Sequence, residues 1–387
     1  MLLPREHARS RAAVAVWIVA VTAAATAGCG SGDPSAPVVE AKSTPAAKVA
    51  AETREASLAS ARVWVPPATP VSKADLSTNP AGGFRPDDEV NCRFNPKMVG
   101  GTTPKFNCDL PSGETIKIKY GQGNPELKAE VASTRLLTAL GFPADRMFVV
   151  RRVRCAGCPT YPFQSLRCLD RLDVKTACFP GGLDYSRIVD FDAAVVERRI
   201  DGRVIEAAED QGWGWYELTR IDPASGGSSR AEVDAFRLMA VFLAHWDNKD
   251  ANQRLICPSG KDGPDGACTA PIAIMQDLGA TFGPTKVDLH NWRQGRIWKD
   301  GASCLVSMKH LPWGGGTFPE SRISEGGRQH LLGLLQQLSD SQIRDLFESS
   351  GITRLDQVNA ESRRAEAWIA AFKDRVKQIS ETGPCPS

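Results

Sequence analysis

Leu243–Leu255 reads "LAHWDNKDANQRL", and the apolar run "FRLMAVFLA" (Phe236–Ala244) leads straight into it. Val233, Phe236, Met239, Ala240 and Leu243 recur at spacings of three and four, the pattern of a helix that buries one face. The helix ends in a dense polar burst of His245, Asp247, Asn248, Lys249, Asp250, Asn252 and Gln253. A rigid apolar support that displays polar groups at its end is how a scaffold presents a functional loop. The plainer reading makes His245 a satisfied core histidine near the helix dipole, and Asp247 and Asn252 turn residues.

Downstream, "APIAIMQDLG" (Ala270–Gly279) reads as a short buried strand that ends in Asp277, thirty residues after Asp247. A buried strand end is a costly place for an unpaired carboxylate. Phosphoryl transfer needs the groups that this order supplies: metal-bridged phosphates, a positioned hydroxyl and charge neutralisation. Asp247 suits the group that orients an acceptor hydroxyl and takes its proton, and Lys249 the one that stabilises the transferring group. Asn252 and Asp277 offer oxygen ligands to Mg²⁺ or Mn²⁺.

His-Trp-Asp-Asn-Lys-Asp-Ala-Asn (His245–Asn252) resembles the protein-kinase catalytic loop H-R-D-L-K-x-x-N, and Asp277-Leu278-Gly279 resembles D-F-G. "AEVASTRLL" (Ala129–Leu137) is similar to the helix of HipA-type and phosphatidylinositol 4-kinase-like folds. "QDLGATFG" (Gln276–Gly283) is similar to the metal-binding segment of secreted Golgi-type kinases. The resemblance, to atypical members of the kinase-like superfamily, covers residues 95–285. It implies an α+β, two-lobed fold: a β-rich N-lobe with one helix and a mainly helical C-lobe. It implies ATP with Mg²⁺ or Mn²⁺ as cofactors, and a protein or small-molecule hydroxyl as acceptor. Lys119, or Lys117 on the same strand face, would meet phosphate and pair with Glu130; Gly100 and Gly101 would cover the phosphates; "VVERRIDG" (Val195–Gly202), with Glu197, would form the hinge at the adenine. Trp246 replaces the middle arginine, and no A-P-E is evident, so an activation-loop switch is not implied.

Upstream, "KFNCDL", "PSGE" and "TIKIKYG" (Lys105–Gly121) read as a hairpin, with Lys117 and Lys119 on one face. "NPELKAEVASTRLLTALG" is a helix with Pro125 in its first turn and Gly141 as its stop. "MFVVRRV" (Met147–Val153) reads as one strand, and "DAAVVERRIDGRVIEA" as a hairpin around Asp201–Gly202. "DQGWGWYEL" reads as core packing. The tail forms amphipathic helices, one capped by Ser339 or Asp340.

The 387 residues carry a net charge of +2, which excludes the basic footprint of a nucleic-acid binder. A basic start and an apolar run mark residues 1–28 as a signal peptide. "TAGC" (Thr26–Cys29) resembles a lipobox, with Thr26 in place of the usual leucine. It implies lipidation at Cys29 and a membrane as partner; an ordinary secretory signal or an uncleaved anchor is the alternative. Residues 29–85, rich in Ala, Pro and Ser, read as a disordered tether, 86–205 as the N-lobe and 206–387 as the C-lobe.

Eleven cysteines less Cys29 leave ten, an even number suited to an oxidising compartment. Cys257 with Cys268 and Cys92 with Cys108 are candidate pairs; Cys155, Cys158, Cys168 and Cys178 suit disulfides better than zinc. The cell envelope holds little ATP, so a pseudokinase, an AMP-transferring relative and a non-catalytic scaffold lipoprotein stand beside the kinase reading.

Overall fold

Strand β1 (Glu89–Asn95) alternates exposed and buried side chains, as its sequence alternates polar with Val90, Cys92 and Phe94. It pairs with β2 (Lys105–Asp109), and β2 with β3 (Thr115–Lys119), around the expected turn. Helix α1 (Pro125–Ala139) follows, capped by the Asn124 side chain and stopped at Gly141, whose φ of +87° suits glycine. The computed structural model describes residues 53–121, 123–205, 212–263, 266–312, 316–355 and 359–386. The segment read as a signal peptide (1–28) and Cys29 lie outside them.

The run expected as one strand is two. Val150 and Arg151 break it into β4 (Arg146–Val149) and β5 (Arg152–Ala156), which lie far apart in a seven-stranded sheet ordered β4-β7-β3-β2-β1-β5-β6. β5 runs parallel to β1, while β4 pairs with β7 (Val195–Arg198). Between β5 and β6 (Ile188–Asp192) an insert forms α2 (Pro162–Leu172) and α3 (Lys175–Cys178). Nor is the segment around Asp201 a hairpin. β7 stays in the large sheet, whereas β8 (Gly202–Val204) joins a second sheet ordered β10-β9-β8. Residues 199–201 are therefore the crossover from one lobe to the other.

The second lobe starts with α4 (Arg230–Leu243), opened by a Ser229–Glu232 capping box and closed at Ala244 with φ +57°. β9 (Gln253–Pro258) and β10 (Ile272–Met275) flank the site, and α5 (Leu289–Gln294), α6 (Glu325–Leu335), α7 (Asp340–Ser350) and α8 (Ala365–Ser380) complete the lobe. The protein is thus α+β and two-lobed, with a β-rich first half and a helical second half. Trp213 and Trp215 are core, stacked edge-on at 5.2 Å and fully buried.

The tether reading does not hold over 53–85. Leu58, Val63, Val71 and Leu76 are buried in the core. Arg62 bridges to Ile272 at the edge of β10, Trp64 Nε1 donates to Leu140 O at the end of α1, and Gln342 of α7 donates to Val71 O and Ala74 O. The few apolar residues are spaced along a strap that starts with a helical stretch at 53–59, and they join the main core, so composition understates their burial.

Five disulfides join Cys92–Cys108, Cys155–Cys158, Cys168–Cys178, Cys257–Cys268 and Cys304–Cys385. Both expected pairs are present, and the four cysteines weighed for zinc are all oxidised. Such bonds are consistent with an exported protein. No helix of the described residues is long and apolar enough to cross a membrane.

Candidate functional site

Between the two sheets lies a cleft of about 280 Å³ whose nineteen lining residues include Gly100, Gly101, Lys117, Lys119, Glu130, Glu197, Lys249, Asn252 and Asp277. All nine were singled out from the sequence, from segments up to 177 residues apart. A larger groove of about 770 Å³ lies beside the 65–81 segment and the end of α1, and its lining is mostly apolar.

Lys119 points inward from the last position of β3 and is 3% exposed. Its ammonium donates to both oxygens of Glu130 at 2.6 Å, and Glu197 lies 2.9 Å away. Burial alone would lower the lysine; Glu130, Glu197 and Asp277 outweigh it and hold the ammonium above its usual range. Glu130 is pushed up to about 7, first by burial and then by Glu197 and Asp277, against the pull of Lys119. Glu197 resists burial because Lys119 and Lys117 flank it, and it stays below the carboxylate range. In β7, opposite Lys117, its carboxylate is spent on two lysines. Glu197 thus belongs to the ion-pair cluster and not to the adenine-facing crossover where the sequence reading put it.

Helix α1 is buried on most sides, between the sheet and α7. Arg135 donates to Ser349 and to Asn79, and Ser133 bonds to Thr281 just beyond Asp277. These contacts hold Glu130 against Lys119.

The loop after α4 closes on itself: Asn252 Nδ2 donates to Asp247 O at 2.8 Å. Among the described residues, no hydrogen bond to Asn252 Oδ1 accompanies it. Gln276 N donates to Asn252 O, so Asp277 enters the cleft beside Asn252. Asp277 has a left-handed φ of +51°, uncommon outside glycine and a mark of strained functional positions. Burial would raise its carboxyl; Lys119 and Lys105 keep it lowered and ionised. It makes neither a hydrogen bond nor an ion pair with described residues. A half-buried carboxylate with no protein donor, beside an uncommitted amide oxygen, fits a hard divalent cation.

Asp247 is not among the lining residues. It stands at the rim, its carboxylate 3.2 Å from Lys249 Nζ. His245 is buried as expected, yet neither ring nitrogen has a hydrogen-bond partner. Burial drives it down to about 4, so it is a neutral ring and not the satisfied cation expected at the helix end.

Two cleft residues whose charge matters, Lys105 and Asp145, escaped the sequence reading. Lys105 faces Lys119 directly across β2 and β3. Asp145, buried and pushed up to about 6, accepts from Gln276 and from Ile200 N. It joins the crossover to the strand that ends in Asp277. The turn at 110–114 held the signal for Lys105, because centring the hairpin there pairs 105 with 119.

The loop over the cleft is pinned at its far end, where Thr103 Oγ1 bonds to Glu126 of α1. Gly101 has φ +81°, and a side chain there would press on Lys105 Nζ at 2.9 Å.

No family model matches the chain, and no curated protein matches it. Among solved structures the chain is similar to the crystal structure of a Helicobacter pylori proinflammatory kinase, CtkA. The two share 10% identity and a TM-score of 0.39, over 76% of this chain and 96% of that one.

Proposed function

We propose that the cleft binds ATP with Mg²⁺ or Mn²⁺ and that the protein is an exported, kinase-like phosphotransferase. The carrying observation is the convergence of a lysine bonded to two buried carboxylates with an aspartate carboxylate and an asparagine side-chain oxygen that no described residue engages, in one cleft at a lobe crossover. Asn252 Oδ1 and the Asp277 carboxylate would hold the cation, which supplies charge neutralisation for the phosphates. Lys119, oriented by Glu130 and Glu197, contributes fixed positive charge. Asp247 orients the acceptor hydroxyl, on a protein or small molecule, and takes its proton as oxygen attacks the terminal phosphorus and ADP leaves. Lys249 keeps Asp247 in place and offsets charge on the transferring group.

A second reading is a nucleotide-binding pseudokinase, favoured by one observation: Asp247 is held at the rim by Lys249. Export with lipid attachment at Cys29 is part of the proposal, and it accords with ten remaining cysteines that pair among themselves.

Thermal shift and calorimetry with ATP and Mn²⁺ or Mg²⁺ test the binding. The wild type is expected to gain stability, and Lys119→Met and Asp277→Asn to lose that gain by about ten-fold in affinity or more. No wild-type gain, or equal gains in both variants, ends the nucleotide reading. Transfer of labelled terminal phosphate that vanishes in Asp247→Asn, with binding retained, separates the kinase from the pseudokinase.

A further inference from the structure

The ion-pair cluster leaves a question about charge. Lys117 and Lys119 face Glu130 and Glu197, two cations against two anions, each within 3 Å of its partner. That cluster is neutral within itself, so little of its positive charge is left for an incoming polyphosphate. Asp277 then adds a negative charge. A polyphosphate would then gain from a further cation that reaches the cleft without a carboxylate of its own.

Lys105 meets both conditions. It is 7% exposed, lines the cleft, and makes no hydrogen bond or ion pair through its ammonium with any described residue. Its register partner is Lys119, so the two ammonium groups sit on one sheet face. Like charges directly opposite repel, and Lys119 is paired with Glu130 and Glu197 whereas no described carboxylate pairs with Lys105. The strand begins where the glycine loop ends, and Lys105 Nζ lies directly under Gly101. Burial, with Lys119 beside it, lowers the lysine, while Asp277 works the other way. An unpaired buried ammonium is costly unless an anion completes it.

We propose that Lys105 is the phosphate-binding cation of the cleft, gripping a nucleotide polyphosphate between β2 and the backbone of Gly100–Gly101, while Lys119 organises the carboxylates. This assignment rests on the nucleotide reading above. It assigns Lys119 chiefly to Glu130 and Glu197, and the polyphosphate to a residue one strand away.

Calorimetry on the full exported chain tests it, with adenosine, ATP with Mg²⁺, and inorganic tripolyphosphate with Mg²⁺ as probes. Lys105→Met and Lys105→Arg are compared with wild type, and unliganded melting confirms that each variant folds. Lys105→Met is expected to weaken ATP and tripolyphosphate by about ten-fold or more, the scale of a lost charge-assisted bond, and to leave adenosine unchanged. Lys105→Arg restores most of the loss. If ATP binds the wild type and Lys105→Met equally, the assignment falls while the nucleotide reading stands. If tripolyphosphate binds through Lys105 but adenosine does not bind at all, the assignment stands and the nucleoside half of that reading falls. If the wild type binds neither ATP nor tripolyphosphate, both fall.

Discussion

Both ring nitrogens of His245 are sealed away from water and from any acceptor, directly beneath the loop that carries Asp247. The folded protein therefore excludes the proton that the unfolded chain takes up. Its folded value, about 4, is below the ordinary 6.5, so the stability tied to it is complete above pH 6.5 and is lost as pH falls toward 4. Glu130 and Asp145, raised to about 7 and about 6, act in the opposite sense across that window, since the folded state binds their protons more tightly. The clean quantity is the difference between wild type and His245→Phe. That difference should shrink by about 2–3 kcal/mol from pH 7 to pH 4 in denaturant unfolding, because only the wild type must charge a buried ring. A pH-independent difference would show that His245 titrates normally in the fold. At this scale the sequence was informative wherever chemistry depends on spacing along the chain: Asp247, Lys249, Asn252 and Asp277 stand in order. Lys105 was hidden because its importance comes from a cross-strand register, a property of two strands together.

The loop that carries Asp247 and Asn252 is only as steady as the helix that presents it, and α4 has an uncommon terminus. Arg375 of α8, fully buried, donates to Val241 O and Phe242 O in the last turn of α4, and to Trp292 O and Gly295 O. No carboxylate among the described residues pairs with it, and burial pulls it down to about 9. Carbonyls at the negative end of the helix dipole do that work instead. Arg375→Met keeps the packing but strands four buried carbonyl contacts. It is expected to cost about 3 kcal/mol or more in denaturant unfolding, and to weaken ATP binding through a looser loop. A variant within about 0.5 kcal/mol of wild type would show that water replaces the guanidinium there. The elements themselves were legible from periodicity and caps, α1 and α4 above all. What misled was connectivity: "MFVVRRV" and the stretch around Asp201 look locally like a strand and a hairpin. Local pattern does not say which sheet a strand joins, and Asp145 and Gln276 set that from another part of the chain.

At the scale of the whole molecule, the least promising sequence turned out to join the most parts. Residues 53–85 touch the end of α1, the edge of β10 and α7, so they bind the Glu130 helix and the Asp277 strand from outside the cleft. A chain starting at residue 53 should melt as the full protein does. One starting at residue 86 should lose its cooperative transition or melt about 10 °C lower or worse, since five core side chains leave with the strap. Equal melting of the two would mean that the strap only rests on the fold. Low apolar content pointed to disorder here because composition averages over a segment, while burial is decided residue by residue. The disulfides carry a consequence in time. Four close over separations of 3 to 16 residues, but Cys304 waits for Cys385, 81 residues on and two from the end of the chain. A polypeptide threaded outward from its amino terminus can knit the first four bonds as each short stretch emerges. The last bond must wait until Cys385 emerges, so it closes after the other four.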